Sequence, residues 1–310
     1  MGHATRCVPI IKTLLLNGNT VILGTTSLTE KIFTEEFLEL ERAQLPEYNI
    51  SYSSVLPLWL KLGTQYPKIL NVIKEEHELI ESYIVKNKIE VIISDNRYGL
   101  YSKNAHSIIV CHQLNLKTPF FAKWSNSTHV KLLKKFNEVW VPDYEEKDKK
   151  LAGELSDNVF GLNCRYIGPL SRLQKREGEM KYDHLFLLSG PEPTQSDLLK
   201  EIWGKLQNYK GNAVIVSSSS ICDDLRDQLE NIHLVKLPNA EELSVVVAQS
   251  RVMVCRSGYS TLMDMNALEK KDLILIPTPG QTEQEYLAEY WSKKFNNVCL
   301  RQDQLSTYSF

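Results

Sequence analysis

The residues best suited to chemistry in this sequence cluster between positions 252 and 291. Val252, Met253, Val254 and Cys255 form an apolar run of strand character. It breaks into Arg256-Ser257-Gly258-Tyr259-Ser260-Thr261, after which Leu262, Met265 and Leu268 recur on one helical face. A strand, a polar glycine-containing turn and a helix, in that order, present the helix's first N–H groups and the positive end of its dipole beside small hydroxyl side chains. The spacing therefore predicts an anion site suited to phosphate. A second strand, Leu273-Ile274-Leu275-Ile276, ends in Pro277-Thr278-Pro279-Gly280-Gln281, and Thr282 with Glu285 reads as a capping box opening another helix. Gln281, Glu283 and Gln284 surround that helix start, more polar side chains than a cap requires. Ligands of open parallel sheets bind outside the carboxyl ends of strands, so the two loops are expected to frame one pocket. Either loop alone also fits an ordinary strand-to-helix turn, and the pair is the more specific signal.

A second concentration of reactive types follows the strand Glu90-Val91-Ile92-Ile93-Ser94-Asp95. Asp95, Asn96, Arg97 and Tyr98 precede Gly99 there, which fits a site at a strand end or a salt-bridged turn. The next strand, residues 107–111, ends in His112-Gln113. His77 lies on an apolar stripe with Ile69, Ile73, Ile80 and Ile84 and reads as a packed residue.

The stretch RSGYSTLMD followed by IPTPGQTEQEYLA resembles the donor site of MurG-type transferases, glycosyltransferase family 28, of GT-B fold. The resemblance implies that Ser257 and Gly258 lie near the diphosphate of a nucleotide sugar, with Arg256, Tyr259, Ser260 and Thr261 in the same turn. Asp264 takes the ribose role, one methylene shorter than the family's usual glutamate. Gln281, Glu283, Gln284 and Glu285 line the sugar side, within a loop that also holds Pro279, Gly280 and Thr282. Ser189-Gly190-Pro191-Glu192-Pro193 occupies the position of the family's second glycine-rich loop but replaces its small residues with Pro-Glu-Pro.

GHATR at positions 2–6 resembles the end of the family's first glycine-rich loop. This makes His3 the first candidate base for the acceptor proton, a role an imidazole suits because it titrates near neutrality, and Asp95 the second. Asn96, Arg97, Tyr98, His112 and Gln113 are then acceptor-side residues. In the family a buried strand precedes this loop, whereas here Met1 stands where the loop begins, so the expectation is a truncated chain with a hole in its first core.

With 310 residues, 43% hydrophobic and 24% charged, the chain is long enough for two domains of ordinary size. A formal charge of −2 without a concentrated basic face predicts no nucleic-acid partner. The six cysteines form no C-x-x-C pair and read as reduced residues of a cytoplasmic protein. No run approaches a membrane span, and no secretory leader is recognised. The apolar stretch at 54–62 and the basic, amphipathic segment 123–136 with Trp124 leave open a peripheral contact at the inner face of a membrane. Burial of the first and solvation of the second are the competing readings. No D-x-D pair is present, and neither a metal nor a cofactor is implied.

Along the chain, strands are expected at 20–25, 138–142, 164–167, 184–188, 214–220 and 232–237, with helices at 28–42 and after Thr194 as N-cap. Gly168-Pro169-Leu170-Ser171-Arg172 resembles the family's crossover between domains, and the charged run 174–183 reads as a linker. The expected fold is α/β, two Rossmann-like doubly wound domains facing across a cleft, with an acceptor-side domain at 1–170 and a donor-binding domain at 171–310. The function implied is metal-independent, inverting transfer of a sugar from a nucleotide-diphosphate donor, a UDP-sugar, to a hydroxyl of a glycan, lipid or small molecule, in keeping with cell-envelope glycan synthesis. The alternatives are a nucleotide-sugar 2-epimerase and an inactive nucleotide-sugar-binding fragment.

Overall fold

The structure, a computed structural model, describes residues 2–48, 58–118, 122–225 and 228–310, with the backbone alone described at 2–3, 28, 58–64 and 223. The described residues fall into two compact units, one running to Ser171 and the other from Arg172 to Phe310.

The first unit opens with helix α1 (Gly2–Leu16), then β1 (Ile22–Thr25), α2 (Ser27–Glu36) and β2 (Glu41–Gln44). Ala4, Val8 and Ile11 recur at helical spacing on α1 and pack against Leu23, Ile32, Phe33 and Phe37. The helix expected at 28–42 is shorter than its periodicity suggested, because residues 41–44 pair in parallel with β1 instead of continuing α2. Next come α3 (Leu58–Asn87), β3 (Val91–Asp95), β4 (His106–Val110), α4 (Ala122–Leu133), β5 (Glu138–Val141) and β6 (Cys164–Tyr166). Strands β3 to β6 form a parallel sheet in sequence order, and β1 and β2 form a separate two-stranded sheet. Ile73 and Ile84 of the α3 stripe are buried; Ile84 packs with Leu45, Ile92 and Leu100. The ring of His77 stacks on Tyr101 at 4.3 Å, as its place on the apolar stripe predicted. Residues 54–57 of the apolar stretch lie outside the described residues, and of 58–62 only the helical backbone is described.

The second unit alternates strictly: β7 (Tyr182–Leu188), α5 (Thr194–Leu206), β8 (Ala213–Ser217), α6 (Ile221–Leu225), β9 (Ile232–Lys236), α7 (Ala240–Ala248), β10 (Ser250–Cys255), α8 (Tyr259–Ala267), β11 (Leu273–Leu275), α9 (Thr282–Phe295) and β12 (Val298–Cys299). A short 3-10 helix, Gln302–Thr307, follows. All six strands are parallel, in the order β12-β11-β10-β7-β8-β9. Helices cover both faces of such a sheet, which is why β8 reads as a continuous apolar run and every one of its residues is buried. Leu198, Leu199, Ile202 and Leu206 of α5 complete a core with Phe186 and Ile215, each such side chain contributing about 1.5–3 kcal/mol by leaving water.

The charged run ends sooner than the composition suggests, since β7 begins at Tyr182. Two caps also differ. Thr194 and Thr282 are the first helical residues, with Pro193 and Gln281 as N-caps. Thr194 Oγ1 donates to the Pro191 carbonyl at 2.7 Å, and Glu285 reaches back to Gly280 N at 3.0 Å rather than closing a box with Thr282.

Candidate functional site

The first strand of the second unit, β7, lies at the centre of its sheet, and the chain builds outward on one side through β8 and β9 before returning to β10 on the other. The order reverses between β7 and β10. At such a switch point the loops leaving the two strands diverge above and below the sheet and leave a crevice at its carboxyl edge. The walls are residues 189–193 after β7 and residues 256–258 after β10, which include Ser189, Gly190, Arg256, Ser257 and Gly258 of the predicted donor residues.

Arg256 holds these loops together. Its Nη1 donates to the carbonyls of Ile276 and Pro277, both at 3.2 Å, and its Nη2 to Thr194 O at 3.2 Å and Gln302 Oε1 at 2.9 Å. One side chain thus ties the ends of β10 and β11 to the start of α5 and the C-terminal 3-10 helix. Burial brings the guanidinium pKa down to about 10, partly offset by Glu201, so the group is a cation at neutral pH. Its hydrogen-bond partners are carbonyl and amide oxygens, and among the described residues no carboxylate forms an ion pair with it.

Ser257 joins the two predicted loops directly, donating from Oγ to the Gln284 carbonyl at 2.7 Å. The second loop is braced from within. Gln284 Oε1 accepts from Thr278 N at 2.9 Å, its Nε2 donates to Gln281 Oε1 at 2.7 Å, and Gly280 turns at φ +77°. Arg256, Ser257 and Tyr259 are buried, and the first two hold the loops through their side chains. Gly258, Ser260, Thr261 and Asp264 keep partial exposure, as do Gln281, Thr282, Glu283 and Gln284, and Glu285 is exposed. A Cβ placed on Gly258 would meet no heavy atom within 4 Å, so the space above the start of α8 is open.

Across the crevice Gly190 turns at φ +120°, a conformation that favours glycine, and Ser189 is half-buried. Sequence reasoning passed over Gln195, which is buried and donates to Leu188 O at 2.6 Å and Ser217 Oγ at 3.0 Å while accepting from Ser218 Oγ at 2.9 Å. Ser196 and Ser219 extend this cluster at 2.8 Å. The run of four serines at 217–220, where β8 ends, was its visible trace.

In the first unit the groups at the ends of β3 and β4 divide. The Asp95 carboxylate accepts from Arg6 Nε at 2.8 and 3.1 Å and from Arg6 Nη2, with the Cys7 thiol 3.5 Å away. Burial pulls the Arg6 guanidinium pKa down, and Asp95 more than offsets it, for a net rise. An ion-paired carboxylate is a weak proton acceptor. Arg6 Nη1 also lies 3.4 Å from His112 Nδ1. The Tyr98 hydroxyl is 3.3 Å from His129 Nδ1 and 3.4 Å from Asn96 Oδ1, and His129 Nε2 is 2.8 Å from the Gln113 carbonyl. Burial pushes the Tyr98 hydroxyl pKa up and the His129 imidazole pKa down. Arg97 does not join this group. It bonds the fully buried Glu76 and the Pro46 carbonyl and lies over the Tyr48 ring at 5.1 Å. His3 falls in the first turn of α1, its side chain outside the described residues.

Residues 205–310 match the glycosyltransferase family 28 C-terminal domain. No curated protein matches the chain. Among solved structures, the spinosyn rhamnosyltransferase SpnG complexed with spinosyn aglycone superposes with a TM-score of 0.67 at 13% identity, over 99% of this chain and 86% of that one. The glycotransferase of kitacinnamycin gives 0.68 at 13%, over 99% and 84%. MurG of Acinetobacter baumannii gives 0.57 at 12%, again over 99% and 84%. At these identities the likeness is one of fold. The chain has the parallel-sheet α/β fold of GT-B glycosyltransferases, and its residues 205–310 match the C-terminal domain of family 28.

Proposed function

We propose that the protein transfers a sugar from a nucleoside-diphosphate donor, a UDP-sugar, to an acceptor hydroxyl, in the manner of MurG-type enzymes. The observation that carries this reading is the family 28 match over residues 205–310, which takes in β10, the open start of α8 and the braced loop before α9 at one side of the switch point. The start of α8 would face the diphosphate and stabilise the charge that grows on it as the sugar departs. Asp264, farther along α8, would bind the ribose, and the loop from Pro279 to Glu285 the sugar. Transfer would invert the anomeric centre without a metal.

On the acceptor side, His3 is the proposed base, one helical turn before Arg6. Asp95 is second to it, since Arg6 would first have to release its carboxylate. Asn96, Tyr98, His112 and Gln113 would line the acceptor. Trp124 and Tyr66 support a peripheral membrane contact in the cytoplasm: both rings are exposed, 6.1 Å apart, beside exposed Lys68 and Lys123. Among the described residues no helix is long and apolar enough to cross a membrane. Cosedimentation with anionic phospholipid vesicles tests the contact, and Trp124→Ser should abolish it.

The test of the donor site is calorimetric titration with nucleoside diphosphates and nucleotide sugars, repeated on Ser257→Trp and Asp264→Ala. One donor should bind, and both substitutions should remove that binding. A folded chain that binds none of them would sink the donor reading. A chain that interconverts nucleotide sugars with no acceptor present would sink transfer.

A further inference from the structure

The two walls of the switch-point crevice differ in what they leave for an anion. On the β10 side the N-cap of α8 is Gly258, which brings no side chain, and the space over it is open. On the β7 side Pro191 and Pro193 have no N–H to give. Of the amides that follow, Gln195 N donates to Pro191 O at 3.3 Å and Asp197 N to Pro193 O at 3.0 Å. Ser196 N donates to the Glu192 carboxylate at 3.2 Å. The exposed Glu192 therefore puts a negative group on the positive end of α5, where an incoming phosphate would otherwise be attracted. Arg256 binds the Thr194 carbonyl, two residues beyond Glu192, which ties this stretch of backbone to the loop that leads to α8.

We infer that Glu192 is an internal competitor of the nucleotide's diphosphate, setting how tightly the nucleotide is held and how readily it leaves after transfer. The inference rests on the donor reading proposed above. A diphosphate seated at the start of α8 meets like charge from the opposite wall, and it gains the amide of Ser196 only by displacing Glu192. The nucleoside, being uncharged, is indifferent to the residue. Glu192 thereby trades affinity for turnover. It also favours donors whose group nearest α5 is a hydroxyl or an amine over those that place phosphate there.

The experiment is calorimetric titration of wild type, Glu192→Gln and Glu192→Ala with UDP and with uridine at low ionic strength. Removing the charge should tighten UDP roughly five- to twentyfold, the scale of a like-charge contact in a partly solvated crevice. Uridine affinity should stay constant, and the gain should shrink as salt is raised. Glutamine keeps an oxygen to cap Ser196 N, so a gain in both variants separates charge from cap. UDP affinity that stays within twofold, falls, or changes in step with uridine overturns the inference while leaving the donor site standing. A wild type that binds no nucleotide overturns both.

Discussion

Each unit buries an arginine at the carboxyl end of its parallel sheet, and the two are neutralised differently. Arg6 meets the Asp95 carboxylate through two nitrogens. Arg256 meets carbonyls of Ile276, Pro277 and Thr194 and the side-chain oxygen of Gln302. The first arrangement is charge-neutral and closed. The second gives the guanidinium uncharged oxygen acceptors, with Glu201 offsetting its charge only from a distance, and the remaining charge adds a positive potential to that of the nearby start of α8. The contrast matches the division of labour proposed above, an anionic donor at one sheet and an uncharged hydroxyl acceptor at the other.

The largest effect that could break this comparison is on stability. Arg6→Met removes the guanidinium partner of the buried Asp95 carboxylate and should cost about 3–5 kcal/mol in urea unfolding. Adding Asp95→Leu should restore much of the loss, since a buried pair is replaced more cheaply than halved. A cost under about 1 kcal/mol for the single change would mean that the pair behaves as a solvated surface bridge, and the contrast with Arg256 would fall.

Such pairings mark the boundary of what the residue order reveals. The succession β10, α8, β11, α9 was legible because Leu262, Met265 and Leu268 repeat at helical spacing and all three are buried. The strand β2 was not, because Glu41, Arg42, Ala43 and Gln44 are good helix formers whose extended state is imposed by pairing with β1. Residue type pointed to Arg256 and Ser257 as site groups, but direction depends on packing, and both turn inward to hold loops. Asp95 read as part of a strand-end site or of a salt-bridged turn, and its ion-pair partner Arg6, 89 residues away, lay beyond any local pattern. Glu76, fully buried beneath Arg97 and Tyr48, carried no local signal on its amphipathic helix.

A middle-sized effect sharpens the functional half of the comparison. Arg256→Met removes the donors of four oxygens and should destabilise the chain by about 2–3 kcal/mol. It should also weaken a nucleoside diphosphate about tenfold while sparing the nucleoside, a loss of roughly 1.4 kcal/mol. The stabilised double variant at Arg6 and Asp95 should keep diphosphate affinity. Equal losses for nucleoside and diphosphate would show that Arg256 acts only by holding the loops.

The smallest effect separates the units by pH. His129 in the first unit and His184 in the second both have pKa values lowered from 6.5, chiefly by burial; the Gln113 carbonyl opposes the shift at His129, and Asp183 opposes it at His184. A histidine whose folded pKa is depressed binds fewer protons folded than unfolded in the interval between the two values. Stability is therefore complete above about pH 6.5 and is lost as pH falls from there through the folded value, with a slope of at most about 1.4 kcal/mol per pH unit for His129. His129→Gln should flatten that acid limb in the first unit, because glutamine can still donate to the Gln113 carbonyl but does not titrate. His184→Gln should flatten the limb of the second unit, where the Tyr209 hydroxyl 2.6 Å from Nδ1 retains a partner. Hydrogen exchange between pH 5 and 7 reads the two units separately. An acid limb unchanged by His129→Gln would assign the loss in the first unit to other groups.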